Sequence, residues 1–271
     1  MHTGTTMSDD LENLQRWVDN KPLLGLPRHT PPAVPSDSNT ELVAQPFYFS
    51  VQSSGATGVD LWKDPANHAD AAATVLTYSG KSVDFIPSLG LKGQADKFNA
   101  YIKKISTFPG FVIENSQETG ENVTSQNVDT MIGQIKNAYV GFASADLDSI
   151  VASVEAMANS ILNKSSKESD KSIFSQDTVS KTNNSTYITI FFTTLSMHEN
   201  QQGKKTYIEQ SYRIFRTLIR VNTTYLVTYA EKLDALIGDG GLPGWAAQGS
   251  SPTGSKLSCF EAAHKKAPRE I

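Results

Sequence analysis

The sequence predicts an α+β fold, an antiparallel sheet wrapped by helical layers in a single main domain. Three observations predict it. Residues 184–234 hold the longest run of apolar, β-branched and aromatic residues in the chain, the types that suit a pleated, half-buried surface. Upstream, residues 93–162 repeat apolar side chains at helical spacing in three separate stretches. The order, helices first and long strands later, lacks the alternating strand–helix units of a doubly wound sheet.

Each element has its own local reason. Ser8 reads as an N-cap, with Asp9 and Asp10 complementing the positive end of a helix over 9–19. Leu11, Leu14, Trp17 and Val18 give that helix an apolar stripe with which to dock on the main body. Residues 21–46 hold six of the 12 prolines, so they read as an extended arm and exclude regular helix or central strand. Phe47 to Val51 predicts a short strand, stopped by Ser53-Ser54-Gly55. Pro65 opens a helix over 65–77, and Asp84-Phe85-Ile86-Pro87 suggests an edge strand. Ala95, Phe98, Tyr101, Ile102 and Ile105 share one face of a helix over 93–107, which Pro109-Gly110 ends. A second helix over 125–142 carries Met131, Ile135 and Tyr139 in its stripe, and a third over 146–162, capped by Ser144 or Asp146, carries Val154 and Ala158. Such stripes are core faces.

A polar connector over 164–171 leads to a strand region that begins at Ile173-Phe174. Strands over 186–197 and 206–221 follow, joined by a polar loop in which Gly203 supplies the turn. A third strand or a helix starts at Thr223. Past Gly238, glycines and prolines mark a loop-rich tail with Trp245 as its large anchor and one helical turn over 257–263. The organisation is an N-terminal helix and arm over 1–45, a main domain over 46–237 and a tail over 238–271.

Composition excludes several functions. A net charge of −4 speaks against nucleic acid as a partner, because a phosphate-tracking surface needs clustered cations. No apolar run reaches the length of a membrane-spanning helix. The N-terminus has neither a basic nor an apolar leader region, so the expected location is the cytoplasm, or outside by release without a classical signal. Sequons at Asn122, Asn163, Asn183, Asn184 and Asn222 then read as chance products of composition. Cys259, the one cysteine, rules out an intramolecular disulfide and a four-cysteine zinc site.

Motifs for chemistry are few. The glycine clusters at 90–93 and 238–241 lack the spacing of a phosphate-binding loop and read as turns. The five histidines include no i, i+4 pair; His198-Glu199 falls in the expected loop, where it reads as solvated rather than as an acid–base pair. Asp9-Asp10 and Asp146-x-Asp148 coincide with helix starts, where capping explains them better than a cation does. No cofactor and no metal are expected. On a strand, Arg216 and Arg220 point to one side and Arg213 to the other; on a helix all three would share a face. The strand is favoured. Those cations suit anionic lipid headgroups, and equally the solubilisation of a sheet face. Cys259, beside Leu257 and Phe260, is a candidate for S-acylation, with an incidental thiol as the plainer reading.

The segment Gly141 to Ile150, leading through an apolar helix to Asn184-Ser185-Thr186-Tyr187-Ile188-Thr189-Ile190-Phe191-Phe192, then a polar Gln/Gly turn and another long strand, resembles the core of the cytolysin fold. That family includes the Bacillus Cyt delta-endotoxins, the mushroom toxin volvatoxin and the Erwinia virulence factor Evf. The resemblance covers residues 46–235. It implies a sheet clad by helices that move aside while strands engage lipid, hence a toxin or virulence factor whose partner is a lipid, an apolar small molecule or a membrane surface. Phe191, Phe192, Tyr212 and Phe215 are then expected to line an interior face or cavity, with Arg213, Arg216 and Arg220 toward headgroups. The Evf branch carries a fatty acid on a buried cysteine; Cys259 lies 12 residues from the end, outside the matched region, so that role does not carry over. The alternatives are an enzyme acting on an isoprenoid or acyl chain, and a non-catalytic carrier of one.

Overall fold

The computed structural model describes residues 7–25, 31, 33, 41–44, 48–49, 51–85, 95–125, 128–139, 152, 154–156, 158, 171–202 and 205–249. Its centre is a mixed sheet in the order β1-β4-β5-β6-β3, with β2 also on β4. The long strands β4 (Lys171–Thr182), β5 (Ser185–Gln202), β6 (Lys205–Val221) and β3 (Phe111–Ser125) are antiparallel throughout. The short strands β1 (Glu41–Ala44) and β2 (Tyr48–Phe49) run parallel to β4 along its outer edge. The fold is α+β in one domain, and the strand reading of 206–221 holds over the helical alternative.

The β4–β5 connection is a two-residue turn. Asn183 and Asn184 both take positive φ, 50° and 60°, while Thr182 pairs with Ser185 across it. Asparagine tolerates that left-handed backbone, and such turns match the twist of the strands they join.

Both faces of the sheet are covered. On one lie α2 (Val59–Lys63), α3 (His68–Ser82) and α4 (Ala95–Ser106), joined by α1 (Met7–Val18) and by α7 (Thr223–Thr228), α8 (Ala230–Ile237) and α9 (Gly241–Gly249). On the other lie α5 (Asp129–Tyr139) and the helical residues 152, 154–156 and 158, here α6. The helix α3 is buried on nearly every side, which its alanines at 69, 71, 72 and 73 permit by letting neighbours approach closely. The buried Asp70 carboxylate accepts from Ser53 Oγ (2.8 Å), Ser54 N (2.7 Å), Ser54 Oγ (2.9 Å) and Leu242 N (2.9 Å), and so ties a loop and the start of α9 to α3.

Several sequence expectations change. Ser8 lies within α1 rather than capping it. Pro65 opens a short 3₁₀ turn, Pro65–Asn67, before α3, which runs on to Ser82. Asp84 is a positive-φ turn residue and Phe85 a buried non-strand residue, so the edge strand expected at 84–87 does not begin there. The helix expected from 125 starts at Asp129, because Ser125 still pairs with Ile208 in β3. The polar stretch from Met197 to Gln202 continues β5 rather than forming a loop. The chain from Thr223 is helical, and the expected tail contributes α9, where Leu242 and Trp245 are buried. Ser144, Asp146, Cys259 and the turn expected over 257–263 lie outside the described residues.

Candidate functional site

The β5–β6 hairpin is sheltered differently along its length. Near the β4 turn, its helix-rich face carries Ile188, Ile190 and Phe192 on β5 beside Phe215, Ile219 and Val221 on β6, all in the larger core. Ile188 pairs with Ile219 and Phe192 with Phe215, so these rings and branches stack across the strands. Phe98 of α4 stacks on Phe192 with centroids 4.2 Å apart.

Farther along, burial passes to the opposite face. Phe191, Leu195 and Met197 of β5 join Ile208, Tyr212 and Ile214 of β6 in a second, smaller core, packed against Met131, Ile132, Ile135 and Tyr139 of α5 and Val154 and Ala158 of α6. The other face of this distal half is polar: Thr194, Ser196, His198, Glu209, Ser211 and Arg213 range from half-buried to exposed. Period-two alternation therefore makes the distal hairpin amphipathic, with its apolar side against helix.

The four aromatic residues singled out in the sequence thus divide in pairs. Phe192 and Phe215 face the larger core, Phe191 and Tyr212 the smaller one. The Tyr139 hydroxyl holds α5 to the strand with a buried 2.5 Å hydrogen bond to Thr193 Oγ1, and burial drives its pKa far above the usual phenol range. Burial, and next the carboxylate of Glu121, also raise Tyr212. Gln134 of α5 donates to Glu121 of β3 at 2.6 Å, a second polar tie along the edge of the same layer.

The three arginines lie on β6 and all meet β3. Arg213 pairs with Glu118, its Nε 2.6 Å from Oε1, and its guanidinium lies 5.4 Å from the Phe215 ring centroid. Arg220 Nε lies 2.5 Å from Glu114 Oε1. Arg216 sits opposite Phe191 on one side and Gln117 on the other, and burial pulls its pKa down to about 10. Sequence reading did not assign β3, so Glu114 and Glu118 went unseen as partners; their spacing against the arginines has meaning only once the β3–β6 register is known. His198 lies in strand, with Glu209 as its cross-strand neighbour, rather than in a loop. Among the described residues, no group of three His, Cys, Asp or Glu is placed to hold a metal ion, and no helix is long and apolar enough to cross a membrane.

No protein-family model matches the chain, and no curated protein matches it. Among solved structures it is similar to one described as the structure of the Evf virulence factor, at 11% identity and a TM-score of 0.37, over 87% of this chain and 92% of that one. A likeness of that size carries no functional weight, which rests instead on the residues.

Proposed function

We propose that the protein is a membrane-interacting protein whose distal β5–β6 hairpin engages lipid after α5 lifts away. A single observation carries this reading: the apolar side of an amphipathic hairpin, formed by Leu195, Met197, Ile208, Tyr212 and Ile214, packs among the described residues against α5, α6 and Val128 just before α5. Alternating polar and apolar residues are what a strand needs when one side meets hydrocarbon and the other water. At 18 and 17 residues, β5 and β6 exceed the roughly 9–11 that a tilted strand needs to span a bilayer. The helix α5 is itself amphipathic, so its apolar face can exchange the hairpin for a lipid interface. A toxin or virulence role would follow from membrane disruption. The carrier and enzyme readings need open space beside Phe192, where Phe98 already stacks.

The test pins α5 in place. Gln134→Cys and Glu121→Cys, in a Cys259→Ser background, put two thiols where the native side chains touch, within reach of a short bis-maleimide cross-linker. Dye release from anionic and from neutral vesicles is then measured. The uncross-linked variant should release dye and the cross-linked form should lose at least about tenfold in rate, a barrier change of ~1.4 kcal/mol. Equal rates in the two forms, or no release from either vesicle by the wild-type chain, would overturn the proposal.

A further inference from the structure

We propose that His68 is an acid-sensitive latch at the junction of α2 and α3, and that protonating its ring releases this junction from the sheet. The inference concerns the helix-rich face and stands independently of the hairpin reading. His68 is the first residue of α3 and is 1% exposed. Its Nε2 lies 2.9 Å from the Trp62 carbonyl oxygen, which can only accept, so Nε2 carries the proton and Nδ1 is bare. Among the described residues, Nδ1 is buried without a hydrogen-bond partner, as is Nε1 of Trp62, the α2 residue whose carbonyl the ring engages. A proton on Nδ1 would therefore create a buried cation whose new N–H has nothing to donate to.

The charged surroundings do not rescue it. Lys181 of β4 adds a cation, its Nζ 2.9 Å from the Ala66 carbonyl oxygen. The positive end of α3 opposes a charge at its first residue as well. Asp64, in the link before the 3₁₀ turn, is the favourable carboxylate, but its Oδ1 already accepts from Ala66 N at 2.8 Å. Asp60 and Lys63 of α2 are exposed, and Asp70 of α3 is committed to Ser53, Ser54 and Leu242. Burial is the largest influence on the ring and lowers its pKa; the Trp62 carbonyl raises it, Lys181 lowers it and Asp64 raises it, for a net value below the ordinary 6.5. With the folded value below the unfolded one, the latch holds fully above about pH 6.5 and is lost as pH falls through the folded value. What depends on it is substantial. Leu61 and Trp62 are fully buried in the larger core, and the Pro65 and Ala66 carbonyls receive the β4 lysine.

Amide exchange of the full-length chain tests the latch without any membrane. After correction for intrinsic rates, opening of residues 59–76 should rise by up to about tenfold per pH unit as pH falls from about 6.5 to the folded pKa and level off below it, ahead of β5 and β6. His68→Gln keeps a donor at the Nε position and has no proton to gain, so it should lose that rise. The same rise in the variant, or none in the wild type, would overturn the latch. An NMR titration of the His68 ring in the wild-type chain decides the matter even if the variant fails to fold: titration below 6.5 is expected, and titration at or above it is fatal.

Discussion

The two faces of the sheet are built on different plans. The helix-rich face draws its cover from both ends of the chain: α1, α2, α3 and α4 from the first half, α7, α8 and α9 from the last. Its ties are long in sequence and partly ionic, as where Asp70 holds Leu242 or where the Trp17 indole donates to the Lys104 carbonyl oxygen at 2.8 Å. The opposite face has α5 and α6, a smaller core, and the Tyr139–Thr193 hydroxyl pair as its buried polar tie. At neutral pH, contacts that tie distant parts of the chain together raise the cost of opening a layer, whereas a layer with fewer ties opens more readily. The proposed membrane engagement draws on the α5 side, and the proposed His68 latch lies on the other.

The largest expected effect tests whether the two cores differ in rigidity. Phe192→Ala and Phe191→Ala remove rings of equal size from opposite faces, each packed against an aromatic partner with centroids 4.2 and 4.5 Å apart. Both should cost ~3–5 kcal/mol in urea unfolding, with Phe192→Ala at the upper end because a layer held by many elements collapses less into the cavity. Equal costs would break the comparison. Smaller and sharper is Tyr139→Phe, which leaves the Thr193 hydroxyl buried and unpaired and should cost ~1–2 kcal/mol; adding Thr193→Val should recover much of that loss, since removing both partners is far cheaper than removing one. Exchange of α5 amides should rise in the single variant while α3 amides stay unchanged.

The smallest effect belongs to the helix-rich face. Lys104 is buried against Trp17, its Nζ 4.3 Å from the ring centroid, and burial pulls its pKa down to about 8 against the raising influence of Asp19. Because the folded value lies below the unfolded one, stability should climb as pH rises from about 8 toward 10.5, and be lost as pH falls through 8. Because Nζ also donates to the Trp17 carbonyl oxygen and to Asn20 Oδ1 (2.6 Å), which favour the charged amine, the slope should stay under the one-proton limit of ~1.4 kcal/mol per pH unit. Denaturant midpoints across that range should show the slope in the wild type and not in Lys104→Met.

The strands of the hairpin were legible because Tyr187 to Leu195 and Tyr207 to Ile219 carry the residue types of a buried sheet. The helices α4 and α5 were legible from their single apolar stripes. By contrast β3 was not. From Glu114 to Ser125 it is a polar edge strand with most residues exposed, so neither period nor propensity marks it, and its pairing with β6 supplies the backbone partners that define it. The helix α9 was masked by Gly241, Pro243 and Gly244, yet it is held in place by Leu242 and Trp245 in the core and by the Asp70 carboxylate at its start. Likewise the segment from Met197 to Gln202 is polar enough to read as a loop, but continues as strand because β6 runs alongside it.

By itself the sequence determined the fold class, the central hairpin and the helices α1, α3, α4 and α5, because these follow from local composition and period. Only the tertiary structure decided that Phe191 and Phe192 serve different cores, that Arg213 and Arg220 answer to carboxylates on β3, and that a histidine lies buried with one nitrogen bare. Each of those depends on which side of a strand meets which neighbour, and register is a long-range property that no local window of residues contains.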